Sequence, residues 1–417
     1  MNKKDEKDLV PIVEFPEGGY GYVQICLSFT IHFISVGQIT SFGVFQQYYK
    51  TLPFFQNVST IEVSLIGASA ASGLTLFGIL AGELADKIGY AKVSAAGSLI
   101  MFAGLFIASY STSYLQLLMA QGVLFGLGSA LSYNPAISIL SRWFQKRRGF
   151  AAGLAASGTG VGGLLLGPLI RAMLVSYDWQ SSLRYLAIGG CSITFICACF
   201  LRERIGPTKK SDHVMAHFFA DPKFIWMAVA SVFNSFGYFI PFFFITVYSV
   251  SNGLSGADGA LVLGLMNGAS AVGRFGLGLA ADWFGCMNML VACLLLSVFS
   301  IFGIWTVAHD MASITIFSIM YGIGVGGYIS VIPSATASLF GKENISTKTA
   351  SVMFGNSFGS LFGPILGAFM IQEFTRPDNT IDFIPAIMVC GGSFVIGTVL
   401  QIIVRMSASK GVWNIKV

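Results

Sequence analysis

The amino-acid sequence predicts an all-α membrane protein of twelve transmembrane helices, arranged as two six-helix halves with both termini cytoplasmic. Three observations carry that prediction. Only 10% of the 417 residues are charged against 54% hydrophobic, twelve apolar runs of membrane length follow one another, and short motifs recur at near-constant spacing between the halves. Soluble domains carry about a quarter charged residues, so a soluble fold is excluded. Glycine numbers 49 where average usage gives about 29, as expected where membrane helices pack closely.

A hydrocarbon core of about 30 Å needs roughly 20 apolar residues per helix. In chain order the runs are Tyr22 to Phe45, Glu62 to Gly82, Ala91 to Tyr110, Leu117 to Leu140, Gly149 to Leu169 and Leu183 to Leu201. A polar stretch, Arg202 to Lys223, separates them from Phe224 to Val247, Ala257 to Ala280, Met287 to Val307, Ile314 to Leu339, Ser351 to Ile371 and Phe383 to Val404. The expected plan is a cytoplasmic tail (1–19), a six-helix bundle (20–201), a cytoplasmic central loop (202–223), a second bundle (224–404) and a cytoplasmic tail (405–417). Residues 1–19 are polar, with no short apolar core ahead of a cleavage site, so the first membrane helix is expected to direct insertion.

With cytoplasmic termini, most of the 24 Lys and Arg fall on inside loops and tails; Lys50, Arg171, Arg184 and Arg376 fall outside, and Arg274 falls within a helix. This is the positive-inside pattern, so the net charge of +5 reflects topology rather than nucleic-acid binding. Cys26, Cys191, Cys197, Cys199, Cys293 and Cys390 lie inside apolar runs and Cys286 at a helix end, without metal-ligand spacing or a disulfide framework.

The repeat is read from one loop. Gly82-Glu-Leu-Ala-Asp86-Lys-Ile-Gly89 follows the second run and Gly278-Leu-Ala-Ala-Asp282-Trp-Phe-Gly285 follows the eighth, offset by 196. Gly126, Gly128 and Pro135 recur as Gly324, Gly326 and Pro333, offset by 198, and Gly163, Gly167 and Pro168 as Gly359, Gly363 and Pro364, offset by 196. Matching the second run to the eighth, the fourth to the tenth and the fifth to the eleventh preserves orientation, which is a parallel repeat.

The loop resembles the signature between helices two and three of the major facilitator superfamily. Glu17-Gly18-Gly19-Tyr20-Gly21-Tyr22 opens the first helix. Trp143-Phe144-Gln145-Lys146-Arg147-Arg148-Gly149-Phe150-Ala151-Ala152-Gly153 opens the fifth and is followed by Ala156-Ser157-Gly158-Thr159-Gly160. Together these resemble the two motifs of the monocarboxylate transporter family, over nearly the whole chain from Pro16 onward. The tyrosines of the first motif and the run Gly322 to Gly327 suit its fungal-type branch.

Arg274 stands eight residues before Asp282, about 12 Å inside the cytoplasmic end of the eighth helix. A charge at that depth is costly and usually faces a water-filled path, although a structural arginine bonded to carbonyls would look the same in sequence. The repeat places Gly78 at the corresponding position, so the architecture itself does not demand arginine there. A planar guanidinium suits a carboxylate through two parallel hydrogen bonds. The family resemblance implies the same role, anion binding, for the matching arginine. Proton-coupled family members carry an aspartate four residues before it and a lysine near the end of the first helix, where this chain has Ser270 and Gln47. His32 is the remaining proton-coupling candidate, with a histidine satisfied by a carbonyl as the plainer reading. Uniport, exchange and proton coupling through another group stay open.

Gln38, Asn134, Asn234, Asn267 and Asn356, with Tyr133, Tyr238 and Tyr328, supply polar groups within helices, for a pocket or as interhelical glue. Asn134 and Tyr133 precede Pro135, which removes a backbone donor, and Asn267 lies two turns before Arg274, so both are expected to face one cavity. The basic run containing Arg142, Arg147 and Arg148 reads as an anchor on anionic lipid, or as a gate in which Asp86 and Asp282 pair with such residues in one state only. Asn57-Val-Ser59 is a glycosylation sequon on the predicted outer loop; Asn344-Ile-Ser346 lies inside.

These features predict alternating-access transport of a small organic solute, most simply a monocarboxylate held by Arg274. A bulkier aromatic or neutral cargo, such as an aromatic amino acid or a riboflavin-like molecule, is the transport alternative, and a non-transporting nutrient sensor the alternative of another class. No nucleotide loop, metal cluster or nucleophile motif points to an enzyme or to ATP-driven transport. The expected partners are the solute and membrane lipid, with no cofactor and no nucleic acid; the sequence is silent on an ancillary subunit. The plasma membrane is the expected location, with a vacuolar or other organelle membrane as the alternative.

Overall fold

The computed structural model describes residues 18–51, 58–144, 148–203, 221–340, 345–375 and 381–409. Among them eleven helices are long and apolar enough to cross a membrane, and a bent pair supplies the twelfth. In chain order they are α1 (Tyr20–Tyr49), α2 (Thr60–Leu76 continued by Gly78–Ala85), α3 (Tyr90–Ala108), α4 (Tyr114–Ser138), α5 (Phe150–Ser176) and α6 (Trp179–Cys199). There follow α7 (Pro222–Ser251), α8 (Gly256–Ala281), α9 (Cys286–Val307), α10 (Met311–Phe340), α11 (Ser351–Glu373) and α12 (Ile384–Ala408). The described residues form no strand beyond one isolated bridge between Thr375 and Ile381.

The order of helices follows the sequence expectation, but four spans depart from a regular helix. α2 bends by 40° at Phe77, beside Gly78, where a missing side chain lets the chain swing. α4 and α6 each contain a π-helical segment, Leu118–Leu124 and Leu186–Cys191, and α9 closes through another, Ser300–Ile304. Such segments add a residue to the turn and re-aim side chains, which an apolar run of uniform hydropathy does not disclose.

Within the first six helices α1 packs on α5, α2 and α3 on α4, and α3 on α6. Within the last six α7 packs on α11 and α12, α8 and α9 on α10, and α9 on α12. Two seams join the sets, α2 against α11 and α8 against α5, and the final turns of α1 lie on α7.

Helix starts are built alike in α2 and α8. Ser59 and Glu62 form a capping box on α2, and Ser255 and Asp258, each 196 residues later, form one on α8. Each box satisfies backbone donors that the first turn leaves bare. The loop glycines agree too: Gly89 has φ 104 and Gly285 has φ 92, and each both ends one helix and starts the next. A Cβ is strained there by about 1–3 kcal/mol. Gly285→Ala is therefore expected to lower the melting temperature of the purified protein; an unchanged melting curve would show that the loop relaxes freely.

The two motifs at the starts of α1 and α5 meet. Tyr20 lies 5.8 Å from Trp143 and Tyr22 5.8 Å from Phe144, between ring centroids. A side chain on Gly21 would press into the Phe144 ring. The Trp143 indole donates to the Arg202 carbonyl at 2.9 Å and Tyr20 to the Phe200 carbonyl at 2.9 Å, so this cluster also ties down the end of α6. Asn57 and Asn344 of the sequons lie outside the described residues.

Candidate functional site

Glycines bring α8 into the middle of the molecule. Gly160 of α5 lies against the Asn267 carbonyl and Ala271, and Gly326 of α10 against the Ser270 carbonyl, so α8 is clasped from both sides at backbone distance. Arg274 extends from this clasped stretch and is only 4% exposed.

Its polar contacts are to uncharged oxygens and are long. Nη1 lies 3.4 Å from the Ala156 carbonyl of α5, Nη2 3.5 Å from the Tyr238 hydroxyl of α7, and Nε 3.4 Å from Ser270 Oγ. No carboxylate among the described residues is within ion-pair reach of it. A buried guanidinium with no short bond and no counter-charge is costly, and an arrangement of this kind is chemically able to take an anion.

Aromatic surface surrounds the charge. Tyr238 stacks on Phe242 with centroids 5.4 Å apart and meets Phe239 edge-on at 4.8 Å. Tyr133 of α4 faces His32 of α1 at 4.2 Å, and both lie within the electrostatic reach of Arg274. The arrangement therefore joins Arg274, Ser270, Tyr238, Tyr133 and His32, drawn from four helices, with the Ala156 carbonyl from a fifth.

Other predicted site residues lie elsewhere. Asn267 does not open onto a cavity with Arg274: it presses on Gly163 in the seam between α5 and α8, and its amide returns to the Leu263 carbonyl at 3.0 Å. Asn134 fills the space beside Gly78 and donates to the Ala130 carbonyl at 3.0 Å. Gln38 points into the first six helices, beside Gly190 and a cavity of about 20 Å³ shared with Gln121, room for one water. Asn234 presses on Gly397 of α12, and neither of its amide atoms has a hydrogen-bond partner among the described residues. Asn356 on α11 is buried with its carbonyl oxygen unpartnered, near the seam where Ser72 donates to the Ser357 carbonyl at 2.9 Å.

For the predicted gate, Arg142 donates to the Tyr90 hydroxyl at 2.9 Å and stacks 4.9 Å over its ring. Arg147 and the side chains of Asp86, Arg148 and Asp282 lie outside the described residues. Sequence reasoning does not single out the Ala156 carbonyl, Phe239 or Phe242. The first was present only as part of a motif, and the phenylalanines look like any membrane-helix residue.

The family model of the Major Facilitator Superfamily matches residues 21–320. The chain belongs to that superfamily. Relatives include an MFS-type transporter, pynF, of Aspergillus niger, 31% identical over 92% of this chain and 88% of that one. The aspyridones efflux protein apdF of Emericella nidulans is 29% identical over 92% and 78%. The fujikurins efflux protein of Gibberella fujikuroi is 27% identical over 91% and 83%. A bacterial homologue of the human lysosomal transporter Spinster superposes with a TM-score of 0.70 at 15% identity, covering 95% of this chain and 99% of that one. The peptide transporter POT in complex with sulfate superposes with a TM-score of 0.71 at 14% identity, over 97% and 98%. The structural matches share the fold. The family match and the relatives make this chain an integral, multi-pass transport protein of the superfamily.

Proposed function

We propose that this major facilitator protein exports a bulky organic anion by alternating access, with Arg274 holding the charged group. The observation that carries the reading is the buried Arg274 guanidinium, whose partners among the described residues are three neutral oxygens at 3.4 to 3.5 Å. Tyr133, Tyr238, Phe239 and Phe242 supply apolar and aromatic surface beside it, which favours a larger cargo than a minimal monocarboxylate. The export direction comes from the two relatives named for efflux of aspyridones and of fujikurins.

The same reading retains the monocarboxylate transporter family as the source of the two motifs, now with a broader acid as cargo. The pseudo-two-fold repeat is supported by the matched capping boxes and positive-φ glycines. Cytoplasmic termini follow from the distribution of Lys and Arg, and the plasma membrane suits an exporter. Ser270 and Gln47 replace the residues of the usual proton relay, so transport needs no aspartate-based coupling in this reading.

The test is export from proteoliposomes of purified protein. Aromatic carboxylates such as phenylacetate are expected to move faster than their neutral amides and faster than lactate. Equal rates for acid and amide would remove the anion-binding role, and no movement of any solute would remove the exporter assignment.

A further inference from the structure

We propose that His32 reads a hydrogen-bond donor on the cargo, so that the site selects organic anions carrying a hydroxyl, enol or N–H group beside the charge. The inference rests on the anion-export reading and narrows its substrate class.

His32 is fully buried on α1, with its Nδ1 2.6 Å from the Ser28 carbonyl oxygen. A carbonyl oxygen only accepts, so Nδ1 carries the hydrogen and donates it. The neutral ring is then left with a lone pair at Nε2, which only accepts. Nε2 is buried and has no hydrogen-bond partner among the described residues. The Ser28 bond and the Tyr133 ring 4.2 Å away hold the imidazole from two sides, which leaves it little freedom to turn in search of another donor.

The site thus offers two complementary functions, a set of guanidinium donors at Arg274 and one preset acceptor at His32. A bare carboxylate brings acceptors alone and satisfies only the first. A cargo with its own donor satisfies both, whereas one without it buries Nε2 unpaired, and sites built for a hydroxyl discriminate against analogues that lack it. Two of the other buried polar side chains without a partner in hydrogen-bond geometry are placed differently: Asn234 is wedged against Gly397, and the Tyr328 hydroxyl faces Ser231 and Asn234 inside the last six helices.

The experiment measures binding to the purified full-length protein in detergent, using phenylacetate, mandelate and 4-hydroxyphenylacetate, which differ by one hydroxyl and its position. Wild-type protein is expected to bind at least one hydroxy acid about tenfold tighter than phenylacetate. His32→Phe keeps a flat ring against Tyr133 and removes the acceptor; the gap should close to within about twofold, through loss of hydroxy-acid affinity alone. His32→Gln restores an acceptor and should recover part of the preference. A ligand-free check is the nitrogen-15 histidine spectrum, in which the signal missing from His32→Phe should be that of an Nδ1–H tautomer.

An Nε2–H tautomer, a wild-type preference below twofold for both hydroxy acids, or a preference that survives in His32→Phe would overturn the inference. Arg274→Gln separates this outcome from failure of the export reading. If it leaves all three affinities unchanged, the anion-binding reading falls and takes the His32 proposal with it. If it weakens all three while the hydroxyl preference is absent, only the His32 proposal falls. Binding of none of the three acids by wild-type protein overturns both.

Discussion

Arg274→Gln is expected to reduce carboxylate export by at least about thirtyfold, because truncating one member of a buried charge pair costs about 2–5 kcal/mol or more. The glutamine keeps hydrogen-bonding capacity near Ala156, Ser270 and Tyr238 but removes the positive charge that draws the anion out of water. Arg274→Lys should fall between the two. It preserves the charge but replaces a planar fork with a compact ammonium, so the two parallel bonds to a carboxylate are lost. Uptake and binding in proteoliposomes, measured for the same acid, separate the two effects. Neutral analogues are the internal control, since their transport should be little affected by either change. Unchanged carboxylate export in Arg274→Gln would leave the buried guanidinium with a structural role only.

Gly43→Leu should abolish net transport while leaving anion binding within a few-fold of wild type. Gly43 lies where α1 meets α7, at the end of the bundle opposite the two Gly…Asp…Gly loops. A Cβ there would sit 2.6 Å from the Phe242 carbonyl and 3.0 Å from that of Phe243. A leucine does not fit between two backbones at this separation, so conformations closed at this end are excluded and the open ones gain population. Driving a two-state equilibrium from 1:99 to 99:1 takes about 5.5 kcal/mol, and overpacking by a single methylene already costs about 1–3 kcal/mol. Spin labels at Lys50 and Ser251 report the separation directly, and the leucine variant should lengthen it. A distance and a transport rate both equal to wild type would show that this end need not close.

Much of the architecture was legible because membrane burial writes itself into composition. Twelve apolar runs gave the helices in the right order, and the twice-used Gly…Asp…Gly loop located two of the four described glycines with positive φ, Gly89 and Gly285. Arg274 was legible for the same reason, since one charge in a long apolar run has no other context. The details that aim side chains were not. A 40° bend at Phe77 and the π-helical turns of α4, α6 and α9 change facing without changing hydropathy. Asn267, on the same face as Arg274 by helical spacing, meets Gly163 instead, because glycines on α5 let the two backbones approach until no cavity remains there. Gln38 and Asn234 look like pocket residues from sequence and instead occupy seams within one set of six helices. Capping boxes at Ser59 and Ser255 were readable in principle, as a serine followed three residues later by an acid.

The length of the contacts around Arg274 also bears on the pace of the cycle. An arginine locked in a short bidentate ion pair would have to break that pair each time cargo arrived, which would add an activation step to every turnover. Contacts of 3.4 and 3.5 Å to neutral oxygens present little such barrier. In the proposed cycle loading at the guanidinium therefore has little to break beforehand, and the pace of the carrier is expected to follow how fast α1 parts from α7 and how fast the opposite end follows.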